Sequence, residues 1–209
     1  MPLPHGGFEP SPTGLRIVIE REVGFGLEEI WDAFTTPEGL EPWVGVLRGS
    51  REAGDLQFSM VEGGQEASPA NLVIHRCRAP HELSFTTDSE YGAWNLGLEL
   101  SRQDGVSTIR FIQDLGMTDD PSTIGPGWEY YVQRAIVSLE GGDVDSVKWD
   151  DYYPSLAPAY TRAAEEVPHK AINRQRGKAD DSGPRRRRIK LPDRSSANRH
   201  RARRGAQRP

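Results

Sequence analysis

Two pairs of side chains have the residue types and the spacing that nucleophilic or acid–base chemistry requires. The first pair is His75 and Cys77, two residues apart in a segment predicted as a strand, so that both would project from one face. A thiol beside an imidazole can act as a nucleophile with its base. No third group that would orient the imidazole is evident, and a packed histidine beside a small buried thiol is the alternative interpretation.

The second pair is Asp150 and Asp151, which are adjacent in an aromatic segment. Two carboxylates in different environments can divide the roles of general acid and general base. Adjacent acids before a helical segment more often cap the helix or remain solvated. The chain has a single cysteine, which excludes a disulfide framework and a cysteine-rich zinc site. We therefore predict no catalytic residues, no metal and no cofactor.

A third candidate depends on a predicted hairpin. Asp104 and Gly105 join two alternating segments, 94–103 and 106–115, and Asp-Gly between such segments is a strong hairpin signal. A two-residue turn fixes the register of the two strands. It places these apolar pairs on one face: Leu100 with Ile109, Leu98 with Phe111, and Trp94 with Leu115.

The same register has one polar residue on its apolar face. Gln113 lies opposite Leu96 there, whereas Glu99 and Arg110 form an opposite-charge pair on the other face. A buried amide without partners costs about 1–3 kcal/mol. Gln113 therefore either meets a protein group or water, or orients a ligand that is mainly apolar and has one polar group.

The remaining pattern predicts an α+β protein with an antiparallel sheet. One long helix, with Gly125-Pro126-Gly127 before it and Gly141-Gly142 after it, is the one element with enough apolar surface to cover the sheet. The space between a curved sheet and a helix is where a pocket can form. The other predicted elements are strands at 15–23, 55–61, 71–78 and 83–87, a helix at 27–34 and a broken helix over 150–166. Trp31 and Phe34 belong to the apolar stripe of the helix at 27–34, and Trp128 belongs to that of the long helix. A further short helix has Thr36 as its cap and Pro37 at its first position, and the segment from Gly63 to Pro69 is predicted as a loop.

This order of elements resembles the START-like (SRPBCC) helix-grip superfamily, and within it bacterial homologues of the C-terminal domain of the heat-shock-protein-90 ATPase activator. The resemblance covers residues 14 to 166. The segments that carry it are 30–38 (IWDAFTTPE) with Trp43, 79–86 (APHELSFT), 125–131 (GPGWEYY) and 149–154 (WDDYYP).

The resemblance implies a curved antiparallel sheet of about six or seven strands around a long C-terminal helix, with two short helices after the first strand. It also implies a cavity between sheet and helix, which in the superfamily holds apolar molecules. We expect a disordered N-terminus over residues 1–13, the helix-grip domain over 14–167 and a disordered basic tail over 168–209. The residues expected to line the pocket are Trp43, Phe58, Phe85, Trp94, Leu98, Phe111, Gln113, Trp128, Tyr131 and Ala135.

Three functions remain open on the sequence alone. The first is a protein that binds a small apolar molecule, and the second is a protein-interaction module or chaperone ATPase co-activator. The third is an enzyme of cyclase or hydrolase type, which needs a polar pair inside the cavity. The same aromatic residues would equally well form an ordinary packed core.

The charge of the chain is unevenly distributed. Residues 170–209 carry 15 Lys and Arg and three acids, a net charge of +12, while residues 1–169 carry 11 basic and 28 acidic residues, a net charge of −17. The tail is too polar to bury a core and should be disordered. It is either a solvated terminus, a non-specific nucleic-acid or ribosome contact, a partner for the acidic domain, or a non-native extension of the reading frame.

The sequence also predicts where in the cell the protein lies. No apolar segment approaches the roughly 20 residues that a membrane-spanning helix needs, and the first 14 residues lack the apolar core of a secretory signal. We therefore expect a cytoplasmic protein without a membrane span.

Overall fold

The computed structural model describes residues 2–12, 14–89 and 92–167. This part of the chain forms nine strands and four α-helices, an α+β fold as predicted. The strands are β1 Gly6–Ser11, β2 Gly14–Val23, β3 Gly45–Arg48, β4 Gln57–Glu62, β5 Gln65–Glu66, β6 Ala70–Arg78, β7 Glu82–Ser89, β8 Gly92–Gln103 and β9 Val106–Leu115. The helices are α1 Leu27–Thr35, α2 Pro37–Leu40, α3 Pro121–Leu139 and α4 Ala157–Glu166.

The strands form one antiparallel sheet in the order β1-β2-β9-β8-β7-β6-β4-β3, with β5 paired to β4. The predicted hairpin register is confirmed, since Leu98 pairs with Phe111 and Leu96 pairs with Gln113. The ladder ends at Asn95 and Asp114, so the predicted pairing of Trp94 with Leu115 does not form.

The outer face of the sheet carries the charges that the alternation predicted. The Arg110 guanidinium donates to Glu9 on β1, Glu20 on β2 and Glu99 on β8, at 2.9–3.1 Å. Partial burial of Arg110 opposes its charge, but the three carboxylates outweigh this and raise the pKa of the guanidinium. One cation therefore links four neighbouring strands, including the first.

The N-terminal end of the domain differs from the prediction. The expected disorder over residues 1–13 is wrong for Gly6–Ser11, which pairs along its whole length with β2. Gly and Pro make this segment a weak strand former, so the neighbouring strand decides its structure. The tail over 168–209 lies outside the described residues, and its predicted disorder stays a prediction.

The sheet also has more strands than the expected six or seven. Besides β1, the strands β3 and β5 were not predicted, and they have four and two residues. β5 lies inside the segment interpreted as a loop around Gly63 and Gly64. Strands this short contain too few positions for alternation to be visible.

The long helix begins earlier than predicted. The Asp120 side chain accepts from the Ser122 backbone N–H at 2.9 Å and caps the helix, and Pro121 occupies its first position. Gly125 and Pro126 therefore lie inside α3, where both are buried, rather than before it. Their packing overrides the helix-breaking tendency that the prediction relied on.

The helix covers only part of the sheet. Eight strands lie side by side in the main path, which at about 4.8 Å each gives a width of roughly 35 Å. An α-helix is about 10 Å across and covers about two strands. α3 packs on β2, and its Trp128 contacts Phe111 of β9. The inner face of β8, β7, β6 and β4 is left to α1, α2 and empty space.

Candidate functional site

An apolar cavity of about 610 Å³ occupies the space beside α3. Its walls come from the inner face of strands β3, β4 and β6–β9, from α1 and α2, and from Trp128 of α3. The side chains that face it are mainly aliphatic and aromatic. We call this space the inner cavity, and its aromatic wall residues are Trp31, Phe34, Trp43, Phe58, Phe85, Trp94, Phe111 and Trp128.

A second cavity of about 950 Å³ adjoins the first and is more polar. Trp43, Trp94 and Trp128 belong to the walls of both. We call this second space the outer cavity, and its walls also come from α3 and from the segment around Glu62. An apolar cavity with a few polar side chains beside it is the usual arrangement of a small-molecule site.

Gln113 lies in the wall of the outer cavity, and 1% of it is exposed. The Trp128 indole N–H donates to its Oε1 at 2.5 Å. The Trp128 ring also lies against Phe111, with ring centroids 4.4 Å apart, and against Trp94, at 6.0 Å. The predicted polar residue on the apolar face is therefore buried and fixed by an aromatic cluster.

One half of the Gln113 amide has no partner. Its Nε2 is buried and makes no hydrogen bond to any described residue. An unsatisfied buried amide group costs about 1–3 kcal/mol. A polar side chain with one unpaired donor therefore lies in the wall of the outer cavity.

Nine of the ten residues expected to line a pocket lie in the walls of the two cavities. Gln113 and Tyr131 face the outer cavity, and Phe58, Phe85, Leu98 and Phe111 face the inner one. Ala135 is different, because it lies about two turns beyond Trp128 on α3, fully buried in the helix–sheet core. The cavity is beside the helix near Trp128 and does not extend beneath its whole length.

Several wall residues were missed from the sequence. Trp31 and Phe34 were assigned to the apolar stripe of α1, but their stripe faces the inner cavity. Leu47 was missed because β3 was not predicted. The spacing of the α1 stripe was the usable signal, since a helix this short must place its apolar face against the sheet.

The His75–Cys77 pair does not assemble. A register shift between Ile74 and Arg76 adds one residue to β6, which is a β-bulge. Cys77 consequently lies in the wall of the inner cavity, while the His75 Nε2 lies 2.6 Å from the Thr86 Oγ1 on the outer face. The expectation that both share one face is wrong, because alternation fails at a bulge.

The Asp150–Asp151 pair lies outside both cavities. The two residues belong to a 3-10 turn, Trp149–Asp151, and both are exposed. Their placement agrees with the interpretation of solvated charge. Across the described residues, no group of three or more His, Cys, Asp or Glu side chains is arranged to hold a metal ion.

Arg134 closes one side of the outer cavity. Its Nε donates to the Trp43 carbonyl at 3.0 Å, and its Nη1 donates to the Tyr130 hydroxyl at 3.1 Å and the Val144 carbonyl at 3.3 Å. It also pairs with Asp145 at 3.5 Å. Since these partners occupy the guanidinium, Arg134 holds the cavity wall in shape.

Tyr131 at the outer cavity provides a pH-dependent prediction. Burial, with smaller contributions from Glu62 and Tyr130, raises the pKa of Tyr131 to about 12. An unfolded tyrosine ionises near pH 10. The contribution of this group to stability is therefore present below about pH 10 and is lost as the pH rises toward 12.

The measurement is absorbance at 295 nm in stopped-flow pH jumps, read before the chain unfolds. The difference between wild type and Tyr131→Phe should titrate near pH 12. A difference that titrates near pH 10 would show that the hydroxyl is solvated like a free tyrosine, contrary to the described burial.

No helix in residues 2–12, 14–89 and 92–167 combines the length and apolar character needed to cross a membrane.

Comparison with curated protein sequences gives no match. The crystal structure of CalU16 from Micromonospora echinospora is similar, with a TM-score of 0.58 and 17% identity over 78% of this chain and 98% of that chain. The EF2215 protein of unknown function from Enterococcus faecalis is similar with a TM-score of 0.57 and 13% identity, over 78% and 92% of the two chains.

DynU16, a protein of the dynemicin biosynthetic locus, matches with a TM-score of 0.54 and 17% identity, over 62% of this chain and 49% of that chain. At such identities these similarities show a shared fold. A family model provides the sequence relationship. The model described as Activator of Hsp90 ATPase homolog 1-like protein matches residues 25–139, which is more than half of the 209 residues.

Proposed function

Because the chain belongs to the family of Activator of Hsp90 ATPase homolog 1-like proteins, within the START-like (SRPBCC) superfamily, we propose that it binds a small, mainly apolar molecule. The observation that carries this proposal is the inner cavity of about 610 Å³. Protein interiors are packed so densely that few voids exceed one water molecule. Ligand pockets have volumes of roughly 300–1,000 Å³, and the inner cavity falls in this range.

The chemistry of the walls supports the same conclusion. Aromatic rings from α1, β4, β7, β8, β9 and α3, together with that of Trp43, surround the inner cavity. Burial of an apolar ligand there gains about 25 cal/mol per Å² of apolar surface. The polar groups that fix orientation lie at the junction with the outer cavity, where Gln113 is placed.

Two neighbouring residues of β6 provide a matched test. Ile74 lines the inner cavity, whereas Val73 is 55% exposed on the opposite face. Ile74→Trp should fill the cavity, and Val73→Trp should add the same indole outside it. With the neutral probe N-phenyl-1-naphthylamine, we expect wild type and Val73→Trp to bind alike and Ile74→Trp to bind about tenfold or more weakly, a loss of about 1.4 kcal/mol.

The readout is the increase in probe fluorescence on titration, with far-ultraviolet circular dichroism to show that each variant is folded. Equal affinity of all three proteins would place the probe elsewhere and contradict the proposal. Absence of binding to wild type would do the same.

The family description gives a second candidate, a chaperone co-activator. The net charge of −17 on residues 1–169 offers an acidic surface for a partner. The test is the ATPase rate of a bacterial Hsp90 with and without the full chain. Co-activation predicts a faster rate at saturating chain, and an unchanged rate contradicts it.

A cyclase or hydrolase would need a polar pair within the cavity. The two pairs singled out from the sequence do not supply one, since His75 faces outward and Asp150 with Asp151 is solvated. Nucleic-acid contact by the basic tail stays a prediction for residues outside the described part of the chain.

A further inference from the structure

The orientation of the Gln113 side-chain amide is fixed by its neighbour. The indole N–H of Trp128 can donate but cannot accept a hydrogen bond. The atom that faces it at 2.5 Å must therefore be the amide oxygen. If the oxygen and nitrogen of the amide were interchanged, the NH₂ group would face the indole N–H and two donors would meet. The Nε2 is therefore the amide atom that does not face the Trp128 indole.

No described residue accepts from this Nε2. The residues that pair with Gln113 across the sheet are Ile17 on β2 and Leu96 on β8, and neither side chain has an acceptor. Gln113 is 1% exposed, so open solvent does not satisfy the group. The protein thus uses the acceptor of this amide and leaves its donor unpaired in a cavity wall.

We propose that the bound molecule carries a hydrogen-bond acceptor oxygen that meets the Gln113 Nε2, while its apolar body occupies the inner cavity. This inference rests on the proposed function and adds the polarity of the ligand. Trp128 acts as a positioning residue, because its N–H holds the amide with the donor free. A purely hydrocarbon ligand, or one whose polar group only donates, leaves the Nε2 unsatisfied.

The charge near the site favours a neutral acceptor. Glu62 belongs to the walls of both cavities and disfavours an anion. Among the described residues, Arg134 is the one cation in the wall of the outer cavity, where Gln113 lies, and its guanidinium already donates to backbone carbonyls and pairs with Asp145. A ketone, ester or ether oxygen therefore fits this position better than a carboxylate.

The test uses two probes of similar shape, 2-acetylnaphthalene and 2-isopropylnaphthalene, which differ mainly in the carbonyl oxygen. Isothermal titration calorimetry measures both on wild-type full chain and on Gln113→Met, which conserves side-chain length and removes the amide. Wild type should prefer the ketone by roughly three- to tenfold after correction for the water solubility of each probe, and the preference should fall to about one in the variant.

A second measurement observes the Gln113 amide in wild type itself. In ¹⁵N-labelled wild type, the ketone should shift the Gln113 side-chain amide protons downfield, whereas the hydrocarbon should bind without that shift. The Gln113 resonances are those that disappear in Gln113→Met.

The outcomes separate the two proposals. If both probes bind and the ketone gives neither a preference nor a downfield shift, the acceptor inference is wrong and apolar binding stands. If neither probe binds wild type, the proposed function fails and the inference fails with it.

Discussion

Glu129→Ala is expected to lower the free energy of unfolding by about 3 kcal/mol or more, because it leaves three hydrogen-bond donors without their acceptor. Glu129 lies on α3 and is 1% exposed. Its Oε1 accepts from the backbone N–H groups of His5 and Gly6 at 2.5 and 2.9 Å and from the Tyr160 hydroxyl at 2.6 Å. One carboxylate therefore joins the start of β1 to α3 and α4.

Two milder variants give the controls. Tyr160→Phe removes one of the three donors and should cost about 1 kcal/mol. Glu129→Gln keeps an acceptor oxygen, so its cost should lie between those of the other two variants. The environment of the Tyr160 hydroxyl agrees with a strong hydrogen bond to Glu129, since burial and the Glu129 carboxylate raise the pKa of Tyr160.

Urea denaturation gives the free energies, and amide hydrogen exchange gives the location. Protection of β1 should fall in Glu129→Ala and persist in Tyr160→Phe. Equal stabilities of Glu129→Ala and Tyr160→Phe, with β1 still protected, would show that the carboxylate does not anchor the first strand.

Gly125→Ala should destabilise the protein by about 1–3 kcal/mol through overpacking. A Cβ built on Gly125 would lie 2.2–2.5 Å from three ring atoms of Tyr160. That ring is 1% exposed and cannot move without opening the α3–α4 contact. Since alanine is otherwise the better helix residue, a loss of stability here must come from the contact.

Gly127 is the matched control on the same helix. A Cβ there meets nothing closer than the Trp149 ring at 3.9 Å. Gly127→Ala should therefore stabilise the protein by up to about 1 kcal/mol, since alanine loses less backbone entropy. Thermal and urea denaturation of the two variants should give opposite signs, and a stabilising Gly125→Ala would contradict the described packing of Tyr160 on α3.

The sequence predicted the parts of the fold that are governed by local periodicity and turn chemistry. The Asp104-Gly105 turn fixed the β8–β9 register, and with it the burial of Gln113. Thr36 was also predicted correctly as a helix cap, and its hydroxyl accepts from the Gly39 N–H at 3.1 Å.

The errors arose where distant contacts override local preference. β1 has Gly and Pro and becomes a strand beside β2, where Glu129 and Arg110 hold it. The bulge at His75 has no local signature, and it moved Cys77 to the opposite face from His75.

The candidate site was partly predictable for the same reasons. Its strand residues follow from alternation, and Trp128 from the apolar stripe of α3. The contributions of α1 and β3 were not foreseen, because the part of the sheet that one helix leaves uncovered depends on the tertiary arrangement. The free donor of Gln113 could not be foreseen either, since it follows from the position of the Trp128 indole.

The proposed function requires that the space beside α3 holds a small molecule. Native mass spectrometry of the full chain, purified without denaturation, tests this most directly. The expected spectrum of wild type and Val73→Trp contains the chain with an additional small molecule that denaturation releases, and Ile74→Trp gives the bare chain. Bare chain from all three proteins would contradict the claim that this cavity is a ligand site.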